Sequence, residues 1–230
     1  MGPRFTLVVL SLLAASLLSI VTLVIRINET DSFHYTFLVW NLFLAWVPLI
    51  AASYAYVLAR RGDGAVVGIL GVVWLLFFPN APYMLTDFIH LRVGRSPLWY
   101  DALMLSSFAW TALMLGFVSL YLIHALVGRR AGAAVGWVVV VCVLALSSFG
   151  IYLGRFAHFN SWDAVTRPGH VLSVIRQETH SPLHDPKMVA ALLGLTAFLF
   201  VGYVVVYAFS ALRVEVGEAV TPDGLQRSGA

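Results

Sequence analysis

Apolar residues in this chain run in long blocks and do not alternate with polar residues. The blocks cover residues 5–25, 37–59, 65–78, 102–127, 133–153 and 188–212. Most of them reach the roughly 20 residues that an α-helix needs to cross about 30 Å of hydrocarbon. The pattern predicts an all-α polytopic membrane protein with about six transmembrane helices in a single domain, residues 1–212. The tail at 213–230 is expected to be disordered because it is too short and too polar to fold alone.

The third block is interrupted where a membrane helix should continue. Residues 65–78 make only about 21 Å of helix, so the span has to run on through PNAP at 79–82. Pro79 and Pro82 remove backbone donors and are expected to break the helix, with Asn80 or Ala81 capping a second short helix. Four polar residues have the spacing of one face of that second helix: Tyr83, Thr86, Asp87 and His90. A broken span with a polar face predicts a polar cavity.

Other blocks place polar groups at a similar height in the membrane. Ionisable groups at that depth are costly unless they are paired or wetted, so they are functional candidates. The candidate ligand-binding residues are Asn41, Asn80, Tyr83, Asp87, His90, Asp101, Arg155, His158, Asn160 and Asp163. The candidate metal ligands among them are Asp87, His90, His158 and Asp163, although no specific motif supports a divalent metal.

Structural interpretations stand beside these functional ones. Arg155 is expected to pair with Asp87, Asp101 or Asp163, and the sequence leaves the choice open. The two prolines can simply kink a helix for packing. Asp101 at a helix start suits the helix dipole without any further role.

Composition removes several classes of protein. Hydrophobic residues make up 60% of the 230 residues and charged residues 11%, which excludes an ordinary soluble domain. A single cysteine, Cys142, leaves no disulfide framework and no thiolate metal site. The basic residues are scattered, so nucleic acid is not an expected partner, whereas the lipid bilayer is.

The distribution of charge predicts an orientation in the membrane. Two short loops, at 60–64 and 128–132, each carry a pair of arginines, and the positive-inside rule therefore places both termini in the cytoplasm. Six of the seven histidines and seven of the eleven acids fall on the other side. Function is therefore expected on the extracytoplasmic face, where a long loop at 164–187 precedes the last span. That loop is either a short amphipathic helix on the surface or an ordinary loop.

Three segments resemble a family of bacterial integral membrane proteins, domain of unknown function 1361. They are NLFLAWVPL at 41–49, FPNAPYMLTDFIHL at 78–91 and SFGIYLGRFAHFNSWD at 148–163. The resemblance covers nearly the whole chain except the C-terminal tail, and it implies a multi-pass protein of the bacterial inner membrane. It implies no activity. His158 stands where a basic residue such as arginine is expected from the family.

Three classes of function remain open. The first is a protein that binds or transports a small polar molecule or a lipid head group in an extracytoplasmic cavity, although the chain shows no internal repeat. The second is a membrane-embedded hydrolase or transferase acting on envelope lipids, with His90 and Asp87 as a general-base pair or as metal ligands. No recognised catalytic spacing supports it. The third is an accessory or scaffold protein whose polar residues hold the helices in register. The oligomeric state stays open.

Overall fold

Helices account for nearly all of the described chain. The computed structural model describes residues 2–91, 97–156, 169 and 186–219, although the side chains of 153–156, 187 and 212–219 lie outside that description. The elements are α1 Pro3–Thr30, α2 Phe37–Leu58, α3 Gly64–Phe77, α4 Asn80–Tyr83, a 3₁₀ helix Met84–His90, α5 Leu98–Ala131, α6 Ala133–Phe156 and α7 Pro186–Ala219. These residues contain no β-strand.

Six helical segments of the described chain are long and apolar enough to cross a membrane. They are Pro3–Thr30, Phe37–Leu58, Gly64–His90, Leu98–Ala131, Ala133–Tyr152 and Met188–Ala211. The predicted all-α fold with six spans is therefore confirmed, and the chain is a multi-pass membrane protein. One boundary differs, because α7 continues past residue 212 and ends at Ala219. Residues 213–219 contain no proline that would interrupt the helix.

The first helix is arranged for a lipid environment, with its polar residues turned inward. Its buried residues recur every three or four positions and include more polar than apolar side chains: Leu12, Ser16, Ser19, Leu23, Arg26 and Thr30. Between residues 7 and 25 the exposed large side chains are all apolar: Leu7, Leu10, Leu13, Leu17, Leu18, Val21, Val24 and Ile25. A soluble helix shows the reverse distribution. The outer surface of α1 is therefore suited to contact acyl chains.

Helix α5 lies at the centre of the bundle. It contacts α1, α2, α4, the 3₁₀ helix, α6 and α7. Small residues permit the closest of these approaches, as is usual between membrane helices. A Cβ atom added to Gly116 of α5 would lie 2.9 Å from the Cβ of Ala81 in α4. Glycine at this position therefore lets the interrupted third span pack directly against α5.

Polar side chains join the helices within the apolar bundle. The indole of Trp46 donates to Ser16 Oγ at 3.2 Å, and the indole of Trp74 donates to Ser119 Oγ at 3.1 Å. His124 Nδ1 lies 2.8 Å from the hydroxyl of Tyr203. Most hydroxyl groups of the spans, Ser106 and Ser107 among them, also donate to a carbonyl of their own helix.

Candidate functional site

The interruption of the third span leaves the backbone helical but changes its hydrogen bonding. Phe78, Pro79 and Met84 keep right-handed helical dihedral angles, with φ of −55°, −59° and −61°. Proline has no N–H group, so Pro79 and Pro82 cannot donate to the preceding turn. The chain responds by tightening: after the single turn of α4 it continues as a 3₁₀ helix to His90.

Asn80 satisfies one of the carbonyl groups that the interruption releases. In a regular helix the Phe77 carbonyl would accept the N–H of Ala81, but that N–H donates to the Phe78 carbonyl at 3.1 Å. The Asn80 amide donates to the Phe77 carbonyl instead, at 2.9 Å. The prediction that Asn80 or Ala81 caps the second helix is wrong, because the N-cap position belongs to Pro79 and no side chain caps it.

The predicted polar face of the second helix is split in two. A 3₁₀ helix has three residues per turn, so residues three apart are eclipsed, whereas an α-helix would also align residues four and seven apart. Asp87 therefore shares a face with Met84 and His90, while Thr86 lies above Tyr83 and donates to its carbonyl at 2.7 Å. Met84 and Asp87 are both buried, at 1% exposure. The Asp87 face is thus the one turned into the bundle.

The buried carboxylate of Asp87 is approached by a second helix. Asn41, in the first turns of α2, directs its amide Nδ2 at Asp87 Oδ2, 3.4 Å away. This distance is at the long end for an N–H···O bond, so the contact is weak. Asn41 and Asp87, which the sequence analysis placed at one height, do meet in the structure. We call Asn41, Asp87 and His90 the Asp87 site.

A second buried carboxylate lies nearby and forms an ion pair that the sequence analysis did not predict. Asp101, in the first turn of α5, accepts from Arg26 of α1: Nε to Oδ1 is 2.8 Å and Nη2 to Oδ2 is 3.4 Å. The side chain of Arg26 is 9% exposed and that of Asp101 is 3% exposed. Both carboxylate oxygens are engaged, and the geometry is the two-pronged one that arginine favours.

Arg26 also links this ion pair to the segment between α1 and α2. Its guanidinium carbon lies 4.4 Å from the ring centroid of Tyr35. The Tyr35 hydroxyl in turn donates to the main-chain carbonyl of His90, at 2.8 Å. We call Asp101, Arg26 and Tyr35 the Arg26 network. It ties α1, α5 and the end of the 3₁₀ helix together at one end of the bundle, which we call the polar end.

Several of the remaining candidate residues lie outside the part of the chain that the structure describes. Arg155 is part of α6, but its side chain lies outside the described residues, as do His158, Asn160 and Asp163 entirely. Arg155 was expected to pair with Asp87, Asp101 or Asp163. The structure shows that Asp101 forms its ion pair with Arg26. Within the described ranges no three His, Cys, Asp or Glu side chains come together as metal ligands. Two of the four metal candidates, Asp87 and His90, are adjacent on the 3₁₀ helix.

Arg26 was not among the sequence candidates because it lies just beyond the first apolar block. The first apolar block ends at residue 25, but α1 has 28 residues and is about 42 Å long, so Arg26 is still on the helix. Thr30, four residues further, lies on the same buried face. The sequence did carry one indication that Arg26 faces the bundle interior: a residue with a hydroxyl group, Thr30, stands four positions later on the same helix. An arginine on a buried face requires an acid, and that requirement leads to Asp101.

The polar end therefore carries two acids in different chemical situations. Asp101 is matched by a guanidinium group, which balances its charge. Asp87 is approached by the Asn41 amide, and His90 follows one 3₁₀ turn later. Carboxylate, imidazole and amide groups together accept hydrogen bonds from hydroxyl or ammonium groups. The Asp87 site therefore brings together three kinds of polar side chain that suit a ligand.

Comparison with known proteins identifies the family of this chain but assigns it no activity. The model of a family described as protein of unknown function (DUF1361) matches residues 40–204. No curated protein and no solved structure matches the chain. The matched range contains all ten candidate residues from Asn41 to Asp163, whereas Arg26 and Tyr35 precede it.

Proposed function

This chain belongs to the DUF1361 family, and from that premise we propose that it is a bacterial inner-membrane protein that binds a small polar molecule or a lipid head group at its polar end. The Asp87 site is where we place the ligand. The same proposal includes transport of that ligand across the membrane.

The observation that carries the proposal is the burial of Asp87 in an interrupted membrane span. An aspartate at the centre of a membrane helix costs about 2.5–3.5 kcal/mol to insert, and Asp87, near the end of its span, remains costly because it is only 1% exposed. The kink and the packing against α5 need no acid, because Pro79, Pro82 and the small residue Ala81 already supply them. A carboxylate buried in a membrane span at such a cost is a functional candidate, and this supports a binding role for Asp87.

The surroundings of Asp87 favour a ligand that approaches from the membrane side. Phe88 and Ile89, its neighbours on the 3₁₀ helix, are exposed at 37% and 63%. An apolar, exposed surface directly beside a buried polar group fits an amphipathic molecule, whose head group would reach Asp87 while its chains contact Phe88 and Ile89. Hydroxyl and ammonium head groups have the donors that a carboxylate requires.

The proposed orientation puts the polar end outside the cytoplasm. Arg60, Arg61, Arg129 and Arg130 lie in the short connections at the opposite end, and the positive-inside rule assigns such connections to the cytoplasm. Cysteines introduced at Asp31 and at Gly62 would test this in intact cells. A membrane-impermeant thiol reagent should label the first position and not the second, and the reverse labelling would overturn the orientation.

Native mass spectrometry on protein purified in mild detergent, together with metal analysis, tests the binding proposal. Wild type is compared with Asp87→Asn and with the matched control Asp31→Asn. Asp31 is an exposed acid at the same end, and its left-handed backbone, with φ of 50°, suits asparagine. We expect a bound small molecule or lipid in wild type and in the control, and its loss in Asp87→Asn. Equal occupancy in all three proteins would refute the site.

A scaffold function is the second candidate, and the Arg26 network favours it. Both oxygens of Asp101 and several donors of Arg26 are used within the protein, so this network holds helices together without any ligand. If Asp87 has the same purpose, Asp87→Asn should lower stability and leave every bound molecule in place. The binding proposal expects the opposite: loss of the ligand with a folded protein.

A further inference from the structure

Two arginines from different helices converge on one tyrosine at the end of the bundle opposite to the polar end. Arg60 follows α2 and Arg129 is in the last turn of α5, and each guanidinium carbon lies 5.3 Å from the ring centroid of Tyr56. The separation between the two guanidinium carbons therefore cannot exceed the sum of these two carbon-to-ring distances. Guanidinium groups over an aromatic ring gain about 0.5–1 kcal/mol each at an exposed site. Tyr56 therefore acts as a platform that holds two like charges close together.

A third arginine fixes the two helix ends to each other. Arg130 Nη2 donates to the carbonyl of Ala59, directly after the last residue of α2, at 3.4 Å. Arg61 follows in the same connection and is exposed. We call Arg60, Arg61, Arg129 and Arg130 the arginine end. Its position is set by the packing of α2 against α5, and not by one flexible loop.

Within the described part of the chain, no acidic side chain pairs with the arginine end. The described residues contain one ion pair, Arg26 with Asp101, which lies at the other end. Asp63 is nearby in sequence but forms no ion pair. The C-terminal ends of α2 and α5 each contribute a partial charge of about −0.5. Four arginines minus Asp63 and these two helix ends leave a net charge of about +2. Bringing like charges together without an acid is unfavourable unless an anion joins them.

We propose that the arginine end binds the phosphate group of an anionic phospholipid, and that Arg60 and Arg129 are its principal ligands. The residues lie at the ends of membrane-spanning helices, which is the level of the lipid head groups. Planar guanidinium groups recognise phosphate with paired hydrogen bonds. Ile50 and Tyr54 of α2 are exposed at 50% and 62%, so this helix presents an apolar surface to the membrane. The acyl chains of the lipid contact that surface, which a free phosphate ion would not use. This site is separate from the Asp87 site and does not depend on it.

Lipid titration followed by native mass spectrometry tests the site. The detergent-purified full chain is titrated with phosphatidylglycerol and, separately, with phosphatidylcholine carrying the same acyl chains. A basic side chain at an anionic lipid surface contributes roughly fivefold in affinity, so Arg60→Gln with Arg129→Gln should weaken phosphatidylglycerol binding about thirtyfold. Binding of phosphatidylcholine should not change. The matched control is Arg61→Gln, which removes a charge from the same connection but not from the Tyr56 ring, and it should weaken binding less than fivefold.

A second variant separates a defined site from general surface charge. Arg60→Lys with Arg129→Lys keeps both charges but loses the planar fork, and we expect at least a fivefold loss of phosphatidylglycerol affinity. These substitutions are at exposed positions, and unchanged thermal unfolding would confirm that the variants are folded. Equal affinity for the two lipids in wild type, full binding by the lysine variant, or an Arg61→Gln effect as large as that of the double variant would each overturn the proposal. Displacement of the lipid by millimolar inorganic phosphate would identify a simple anion site instead and overturn the lipid assignment.

Discussion

Replacing Asp101 with asparagine should reveal how much the Arg26 network contributes to stability. The substitution keeps the shape of the side chain, so it creates no cavity and changes essentially the charge. Arg26, whose side chain is 9% exposed, would then be left as a buried cation without an acid. Its other acceptors are distant: Thr30 Oγ1 at 3.5 Å and the Ser32 carbonyl at 3.4 Å. Neither replaces a carboxylate oxygen at 2.8 Å.

The magnitude of the loss distinguishes an ion pair from an ordinary polar contact. Removing one partner of a buried ion pair costs about 3–5 kcal/mol, because the remaining charge is uncompensated. Hydrogen bonds between membrane helices average about 0.6 kcal/mol and reach about 1.7 kcal/mol. The ring of Tyr35 still faces Arg26, so we expect Asp101→Asn to lower the free energy of unfolding by about 3 kcal/mol, the lower end of the first range.

Unfolding of the detergent-solubilised protein by sodium dodecyl sulfate, followed by circular dichroism, measures this free energy. Glu29→Gln is the control, because it removes an acid from an exposed position on the same turn of α1, and it should change stability by less than about 0.5 kcal/mol. The double variant Arg26→Met with Asp101→Asn should lose at least about 1.5 kcal/mol less than the sum of the two single variants. Additive losses, or an Asp101→Asn loss below about 1 kcal/mol, would refute the assignment of a buried ion pair.

Two further substitutions test the packing and the connection at the polar end. Gly116→Ala should lower the free energy of unfolding by about 1–3 kcal/mol, because the added Cβ would lie 2.9 Å from the buried Ala81 Cβ. The control is Gly128→Ala on the same helix, which should not destabilise the protein because the space around Gly128 is open. Tyr35→Phe keeps the ring over Arg26 but loses the hydroxyl bond to the His90 carbonyl, so it should cost about 1 kcal/mol and increase hydrogen exchange in the 3₁₀ helix. Unchanged exchange in that segment would contradict the connection.

Part of the candidate site could be read from the sequence because it depends on local chemistry. Two prolines three residues apart interrupt hydrogen bonding in any helix, and Asn41 and Asp87 lie at similar distances from their span ends. The face that Asp87 presents could not be read in the same way. The two prolines are compatible with either an α-helix or a 3₁₀ helix after Pro82, and the two forms align different residues.

The chain's long apolar blocks determined by themselves that it is a multi-pass helical protein, because only continuous helices satisfy the backbone within hydrocarbon. The sequence also placed several polar groups inside the spans, since their depth follows from counting residues, but it missed Arg26. The tertiary structure decided which of them meet. Arg26 and Asp101 are separated by 75 positions, and their pairing depends on the packing of α1 against α5. No local pattern encodes that contact, because it is selected by the cost of burying either charge alone.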